Sequence, residues 1–192
     1  MESLFISTGV VALAEIGDKT QLLAFLLATR FKKPLPIIAG ILVATILNHS
    51  LAGALGAWIT ATLSPEALRW ILGLSFIGMA VWTLIPDKIE EEEMQVAKKF
   101  GVFGATLITF FLAEMGDKTQ IATVAMAAHY PSPVLVVIGT TLGMLIADVP
   151  AVYIGDRFAA KIPMKLVHGI AAAMFAAMGV ATLLGVGASF GF

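Results

Sequence analysis

The residues able to do chemistry are concentrated in one heptapeptide that occurs twice, Glu15-Ile-Gly-Asp-Lys-Thr-Gln21 and Glu114-Met-Gly-Asp-Lys-Thr-Gln120. Each copy sets two carboxylates, an ammonium group, a hydroxyl and an amide into otherwise apolar sequence. Ionisable side chains in such surroundings are costly and mark ligand or ion pathways. On an unbroken helix, residues three and four apart share a face. Glu15, Asp18 and Lys19 therefore cluster with Gln21 at the edge, and Glu114, Asp117 and Lys118 cluster with Gln120. If the two segments meet, four carboxylates face two ammonium groups, a charge of −2 when all are ionised. A divalent cation neutralises that charge. An empty site favours protonation instead, because like charges raise carboxylate pKa values. Cation binding with proton release through one set of groups is the physical basis of an exchanger. Ligands that are all oxygen suit hard ions such as calcium, magnesium or manganese. The competing reading is structural, with each lysine neutralising the acids of its own motif at the favourable Glu-to-Lys spacing of four.

Gly17 and Gly116 weaken the helix beside the acids and could free backbone carbonyls for the site. With a break there, Thr20 and Thr119 could also turn inward. Asn48, His49 and Asp148 are further candidates for the metal or proton pathway. Asp148 is the one carboxylate outside the motifs within an apolar stretch, so it is expected to face the polar centre. His49 is equally readable as a hydrogen-bonded packing residue or as a ligand or proton relay, and Asn48 could supply an amide oxygen.

The elements that must position these residues are long apolar stretches. Hydrophobic residues make up 59% of the 192 and charged residues 13%, against roughly 25% charged in soluble domains. Six stretches, about 4–29, 35–61, 67–86, 102–128, 133–155 and 166–188, are long enough to span a bilayer, which needs roughly 20 residues per helix. The expected class is an all-α integral membrane protein in a single transmembrane domain. Glu2 stands where a signal peptide would carry basic residues, so no cleavable leader is expected. The absence of cysteine excludes disulfides and thiolate ligands. Nothing supports nucleic-acid binding, and the oligomeric state is not readable.

Charge placement orients the spans. Arg30, Lys32 and Lys33, then Lys88, Lys98 and Lys99, then Arg157, Lys161 and Lys165 fall in three alternate loops. The positive-inside rule makes those loops cytoplasmic and both termini external. The acidic run Glu90 to Glu93 reads as a solvated linker. Gly139 and Gly143 form a GxxxG pair suited to close helix packing.

The motifs lie 99 residues apart, and the offset continues without insertion: Gly40 matches Gly139, His49 matches Asp148, and Met79 matches Met178. Repeat 1 covers about 1–88, the cytoplasmic acidic linker about 89–100 and repeat 2 about 101–192. Three spans per repeat is an odd number, so the second repeat enters the membrane from the opposite side. Such inverted-topology repeats are a design of secondary transporters, with the site at the midplane. Duplication for stability alone would leave the mid-span acids unexplained.

The paired Glu-x-Gly-Asp-Lys-Thr motifs, one per three-span half, closely resemble the signature of the Golgi-type calcium/manganese:proton exchanger family. The resemblance covers essentially the whole chain, with no departure inside either motif. It implies a six-helix cation/proton antiporter, similar to small bacterial manganese exporters, with Glu15, Asp18, Glu114 and Asp117 as metal ligands. The cargo would be Mn2+ or Ca2+ with H+, and no catalytic cofactor is implied. Without the N-terminal extension of organellar members, a prokaryotic plasma membrane is expected. A calcium/proton exchanger on the same site is the alternative. A lipid-phosphate enzyme is more distant, since no arginine lies mid-span. An assembly factor would leave the duplicated acids without a purpose.

Overall fold

A computed structural model describes residues 1–85, 100–154 and 164–185, leaving aside the side chains of residues 154, 164, 165, 167 and 168. The linker acids Glu90 to Glu93, with Lys88, Lys98, Lys99, Arg157 and Lys161, lie outside these residues. The described residues form helices and no strands: α1 (Glu2–Glu15), α2 (Lys19–Phe31), α3 (Pro34–Thr62), α4 (Pro65–Trp82), α5 (Gly101–Glu114), α6 (Lys118–His129), α7 (Pro133–Ile154) and α8 (Met164–Leu184).

The apolar stretches 4–29 and 102–128 are not continuous helices. Each is two half-helices separated at the motif. Gly17 has φ +85° and Gly116 has φ +75°, a left-handed conformation that costs an L side chain but not glycine. Ile16 and Met115 are extended on one side of the glycine, and Asp18 and Asp117 on the other. The helical-face argument for Glu15, Asp18 and Lys19 therefore does not hold, because these residues straddle a break.

Sequence punctuation explains the other boundaries. Pro34 and Pro65 open α3 and α4 within the first two positions, where a missing N–H is harmless. Ser64 caps α4 by accepting from the Ala67 N–H at 3.3 Å. Lys32 ends α2 in the left-handed conformation. α3 and α7 are long and apolar enough to cross a membrane, and α5 and the 169–184 portion of α8 are shorter apolar helices. Large apolar side chains are exposed on α3, α4 and α7, including Trp58, Trp70, Leu74, Ile146 and Tyr153. Outward-facing apolar surface on this scale fits contact with lipid.

The halves interlock. α1 packs on α7 and α5 packs on α3; α2 meets α7, and α6 meets α3. Each half thus places its broken helix pair against the long helix of the other. α3 and α7 lie against one another, as do α4 and α8. Small residues permit these approaches. A Cβ on Gly143 would come within 2.7 Å of the Thr8 carbonyl and 2.9 Å of the Ala12 nitrogen on α1. Gly139 is equally crowded by the Leu4 carbonyl. Its counterpart Gly40 presses on Thr106 of α5, where a Cβ would lie 2.7 Å from the threonine Cβ. The GxxxG pair is a helix-packing device.

Gly143→Val should therefore destabilise the fold by about 1–3 kcal/mol, seen as a lower melting temperature in detergent. Gly78→Ala is the control, since nothing lies within 4 Å of a Cβ added there. Equal melting of the two variants would refute the close α1–α7 contact.

Candidate metal centre

The two breaks meet in the interior. Glu15, Glu114 and Asp117 each present a ligand oxygen, and these oxygens all lie within 4.8 Å of one another. All three residues are buried, Glu15 and Glu114 completely. The arrangement follows from the fold: Glu15 and Glu114 end α1 and α5, while Asp18 and Asp117 occupy the N-cap positions of α2 and α6. A helix C-terminus carries partial negative charge that draws cations, and a helix N-terminus favours anions.

Hydrogen bonds repeat from one half to the other. Thr20 Oγ1 donates to Glu15 Oε2 at 2.6 Å, and Thr119 Oγ1 to Glu114 Oε2 at 3.0 Å. The break does turn these threonines inward. Glu15 Oε1 and Glu114 Oε1 have no hydrogen-bond donor among the described residues, which leaves one oxygen of each carboxylate open to a cation. Gln21 Oε1 accepts from the Gly17 N–H at 2.9 Å, and Gln120 Oε1 from the Gly116 N–H at 2.7 Å. Gln21 Nε2 then donates to the Ala147 carbonyl at 2.9 Å, and Gln120 Nε2 to Asn48 Oδ1 at 3.2 Å. Each glutamine fastens its own break to the long helix of the opposite half, Gln21 to α7 and Gln120 to α3, and neither belongs to the carboxylate trio.

The lysines pair across the halves. Lys118 Nζ lies 2.6 Å from Asp18 Oδ1 with both side chains 1% exposed. Lys19 Nζ lies 3.7 Å from Asp117 Oδ1, and Lys19 is 19% exposed. Both of these ion pairs join one half to the other. Each half supplies the cation for the other half's aspartate, because the break separates Glu15 from Lys19 and carries the lysine toward its neighbour. Asp18 lies outside the trio and faces Lys118. The four-acid cluster read from the motif is thus three converging acids plus one aspartate held by a buried lysine.

Asp148 is fully buried on α7, and its carboxylate is within electrostatic range of Glu15, Glu114 and Asp18. Neither of its oxygens has a hydrogen-bond donor among the described residues. His49 is also fully buried, with both ring nitrogens lacking a hydrogen-bond partner among the described residues. Asn48 is engaged on both ends of its amide, to Gln120 and to the Phe111 carbonyl at 3.0 Å. Sequence could not have shown that last contact, since its acceptor is a backbone oxygen.

The charge balance fixes what the centre can do. Two Lys–Asp pairs leave Glu15 and Glu114 without a basic partner among the described residues. Buried carboxylates left ionised and unpaired are strongly unfavourable. The centre therefore calls for a bound cation or for protons. All-oxygen donors select hard cations.

Comparison with known proteins agrees with this chemistry. The family model described as "Divalent cation/proton antiporter GDT1" matches residues 3–91 and 102–189. The chain is 52% identical to a Vibrio cholerae protein named "Putative manganese exporter", over 95% of this chain and 90% of that protein. It is 28% identical to GDT1-like protein 3 of Oryza sativa subsp. indica, over 94% of this chain and 73% of the relative. It is 30% identical to the chloroplastic PAM71-homolog of Arabidopsis thaliana, over 92% of this chain and 58% of the relative. No solved structure matches. The two acid motifs, their meeting in the interior and the match over both halves place this chain in the GDT1 family of divalent cation/proton antiporters, a family of transporters and not of enzymes.

Proposed function

We propose that the protein exports manganese from the cytoplasm of a prokaryotic cell across the inner membrane, in exchange for protons. The observation that carries the proposal is the convergence of Glu15, Glu114 and Asp117 within 4.8 Å in a buried setting. Manganese is favoured by the name of the 52% identical Vibrio cholerae relative and by the hard oxygen donors, which fit calcium as well. Calcium/proton exchange on the same centre is the second reading.

In the proposed cycle, Glu15, Glu114 and Asp117 bind the ion, and Asp18 contributes on release of Lys118. Protons take the metal's place on the glutamates, so the charge of the centre is balanced in both states. Thr20 and Thr119 orient the glutamate oxygens. Asp148 and His49 lie on the proton pathway. Alternating access follows from six spans arranged as two inverted repeats, with both termini outside. In that reading each motif break sits inside one span, and the swap of packing partners between α1–α7 and α5–α3 fits an axis lying in the membrane plane.

Glu15→Gln and Glu114→Gln should each abolish metal-driven proton movement in proteoliposomes while the protein still inserts, since each loses a ligand and a proton site together. Asp148→Asn should be milder. Manganese flux coupled to opposing proton flow in the wild type supports export by exchange. Calcium flux without manganese flux selects the second reading, and normal transport by either glutamine variant sinks the shared site.

The lysines should differ in stability. Removing one partner of a fully buried pair costs about 3–5 kcal/mol, so Lys118→Met should melt well below wild type. Lys19→Met should melt closer to it, because Lys19 is 19% exposed and more distant from its aspartate. Equal losses would show that the two pairs carry equal weight.

A further inference from the structure

The two motif breaks share their main hydrogen bonds and differ at the end of the first half-helix. In the first half, the Ile16 N–H donates to the Ala12 carbonyl at 3.3 Å, a regular last turn for α1. In the second half the equivalent Met115 N–H donates instead to the Leu112 carbonyl at 3.2 Å, a tighter turn. That leaves the Phe111 carbonyl without its intrahelical donor, one of the orphan groups every helix end must satisfy. Asn48 Nδ2, reaching from α3, donates to it at 3.0 Å. The residue matching Asn48 at the 99-residue offset is Ala147, which has no side-chain donor. Gln21 accordingly bonds the Ala147 backbone carbonyl, while Gln120 bonds the Asn48 side chain.

The network fixes its own orientation. The Phe111 carbonyl can only accept, so the Asn48 nitrogen must face it, leaving the Asn48 oxygen for Gln120. The Gly116 N–H can only donate, so the Gln120 oxygen faces it at 2.7 Å, leaving the Gln120 nitrogen for Asn48. Asn48 thus holds both sides of the second break, the end of α5 directly and the start of α6 through Gln120. Glu114 and Asp117 lie between those two points of attachment.

We infer that Asn48 is a positioning residue of the second motif, a bracket that sets Glu114 and Asp117 at ligand distance from Glu15. The inference rests on reading those three acids as the cation site. It gives Asn48 a bracing role in place of a ligand role, and it makes the two halves of the site unequal: one break is tied to backbone, the other to a rotatable side chain. Groups that orient metal ligands typically matter about 10–100-fold in affinity.

The test measures manganese transport in proteoliposomes, separating KM from maximal rate, for wild type, Asn48→Ala, Asn48→Asp, Gln120→Ala and the double variant Asn48→Ala with Gln120→Ala. Asn48→Ala should raise KM about tenfold or more, with maximal rate within about twofold of wild type, as expected when ground-state and transition-state binding are lost together. Asn48→Asp should be as poor, because a carboxylate cannot donate to the Phe111 carbonyl. Gln120→Ala should match Asn48→Ala without any change on α3, and the double variant should be no worse than either. Asn48→Ala combined with Gln21→Ala should instead multiply the two effects, since Gln21 uses a different anchor. A wild-type or lower KM for Asn48→Asp would make residue 48 a ligand and overturn the inference. Multiplying effects of Asn48→Ala and Gln120→Ala, or an unchanged KM in Asn48→Ala, would overturn it as well. If the wild type carries no manganese, the transport reading fails by itself. Manganese affinity measured by calorimetry on the same purified variants then decides the bracket by the same comparisons.

Discussion

The structure depends on one electrostatic constraint: carboxylates taken out of water need compensation, and this centre holds more of them than its lysines can match. Glu15, Asp18, Glu114 and Asp117 are all buried, and Lys19 and Lys118 form ion pairs with the two aspartates. Both lysines pair across to the other motif. Because each ammonium group reaches the aspartate of the other half, charge compensation and association of the halves are one event. A single half would expose an aspartate without its cation and a lysine without its anion. The packing of α1 on α7 and α5 on α3 brings both pairs together at once, and the crowded glycines Gly40, Gly139 and Gly143 allow the helices to come that close.

The broken helices complete the arrangement. An intact helix would have no free ends at this depth and would offer the acids no axial dipole to distinguish them. The break creates four helix ends around the centre, two of each sign. The aspartates take the N-terminal ends of α2 and α6, where a fixed anion is favoured and a lysine lies opposite. The glutamates take the C-terminal ends of α1 and α5, where partial negative charge draws a cation toward the open oxygen of each. Two acids three residues apart in sequence therefore stand in opposite fields. On the proposed exchange this separates labour in part: the glutamates trade metal for protons, while the aspartates are counter-charges to lysine, Asp117 also lending an oxygen to the ion.

Much of this was legible in the sequence, and what was not has a physical reason. The duplicated motif, its 99-residue offset and the apolar stretches could be read directly, because they are patterns along the chain. The glycine at the third position of each motif signalled a weak point, and with it the inward turn of Thr20 and Thr119. A positive φ at Gly17 and Gly116 is one of several conformations glycine permits, so the break itself was a possibility and not a deduction. The lysine exchange was hidden, since Lys19 follows Asp18 directly and an unbroken helix would also set it one turn from Glu15. The role of Asn48 was hidden more deeply. Its partner is the carbonyl of Phe111, and backbone acceptors leave no mark in residue type. His49 and Asp148 occupy matched positions yet differ in surroundings, with Asp148 within range of Glu15, Glu114 and Asp18. Position in a repeat conveys burial more faithfully than it conveys role.

The departures from symmetry bear on how such a molecule would change sides. In an inverted repeat, exchanging the conformations of the two halves converts one facing state into the other. Identical halves would make those states equal in energy. Here the halves are unequal in two linked ways. The Lys118–Asp18 pair is short and sealed, at 2.6 Å and 1% exposure, whereas Lys19–Asp117 spans 3.7 Å with Lys19 partly open. The second break is gripped by a side chain and the first by backbone. A difference of 1.4 kcal/mol between two states is a tenfold difference in their populations, so modest inequality of this kind is enough to favour one. On the proposed cycle, neutralising the glutamates would leave both Lys–Asp pairs in place, and the resting bias would be set by the pairs and the bracket. The glutamates that exchange metal for protons would then be distinct from the lysines and Asn48 that bias the empty carrier, with Asp117 shared between the two tasks.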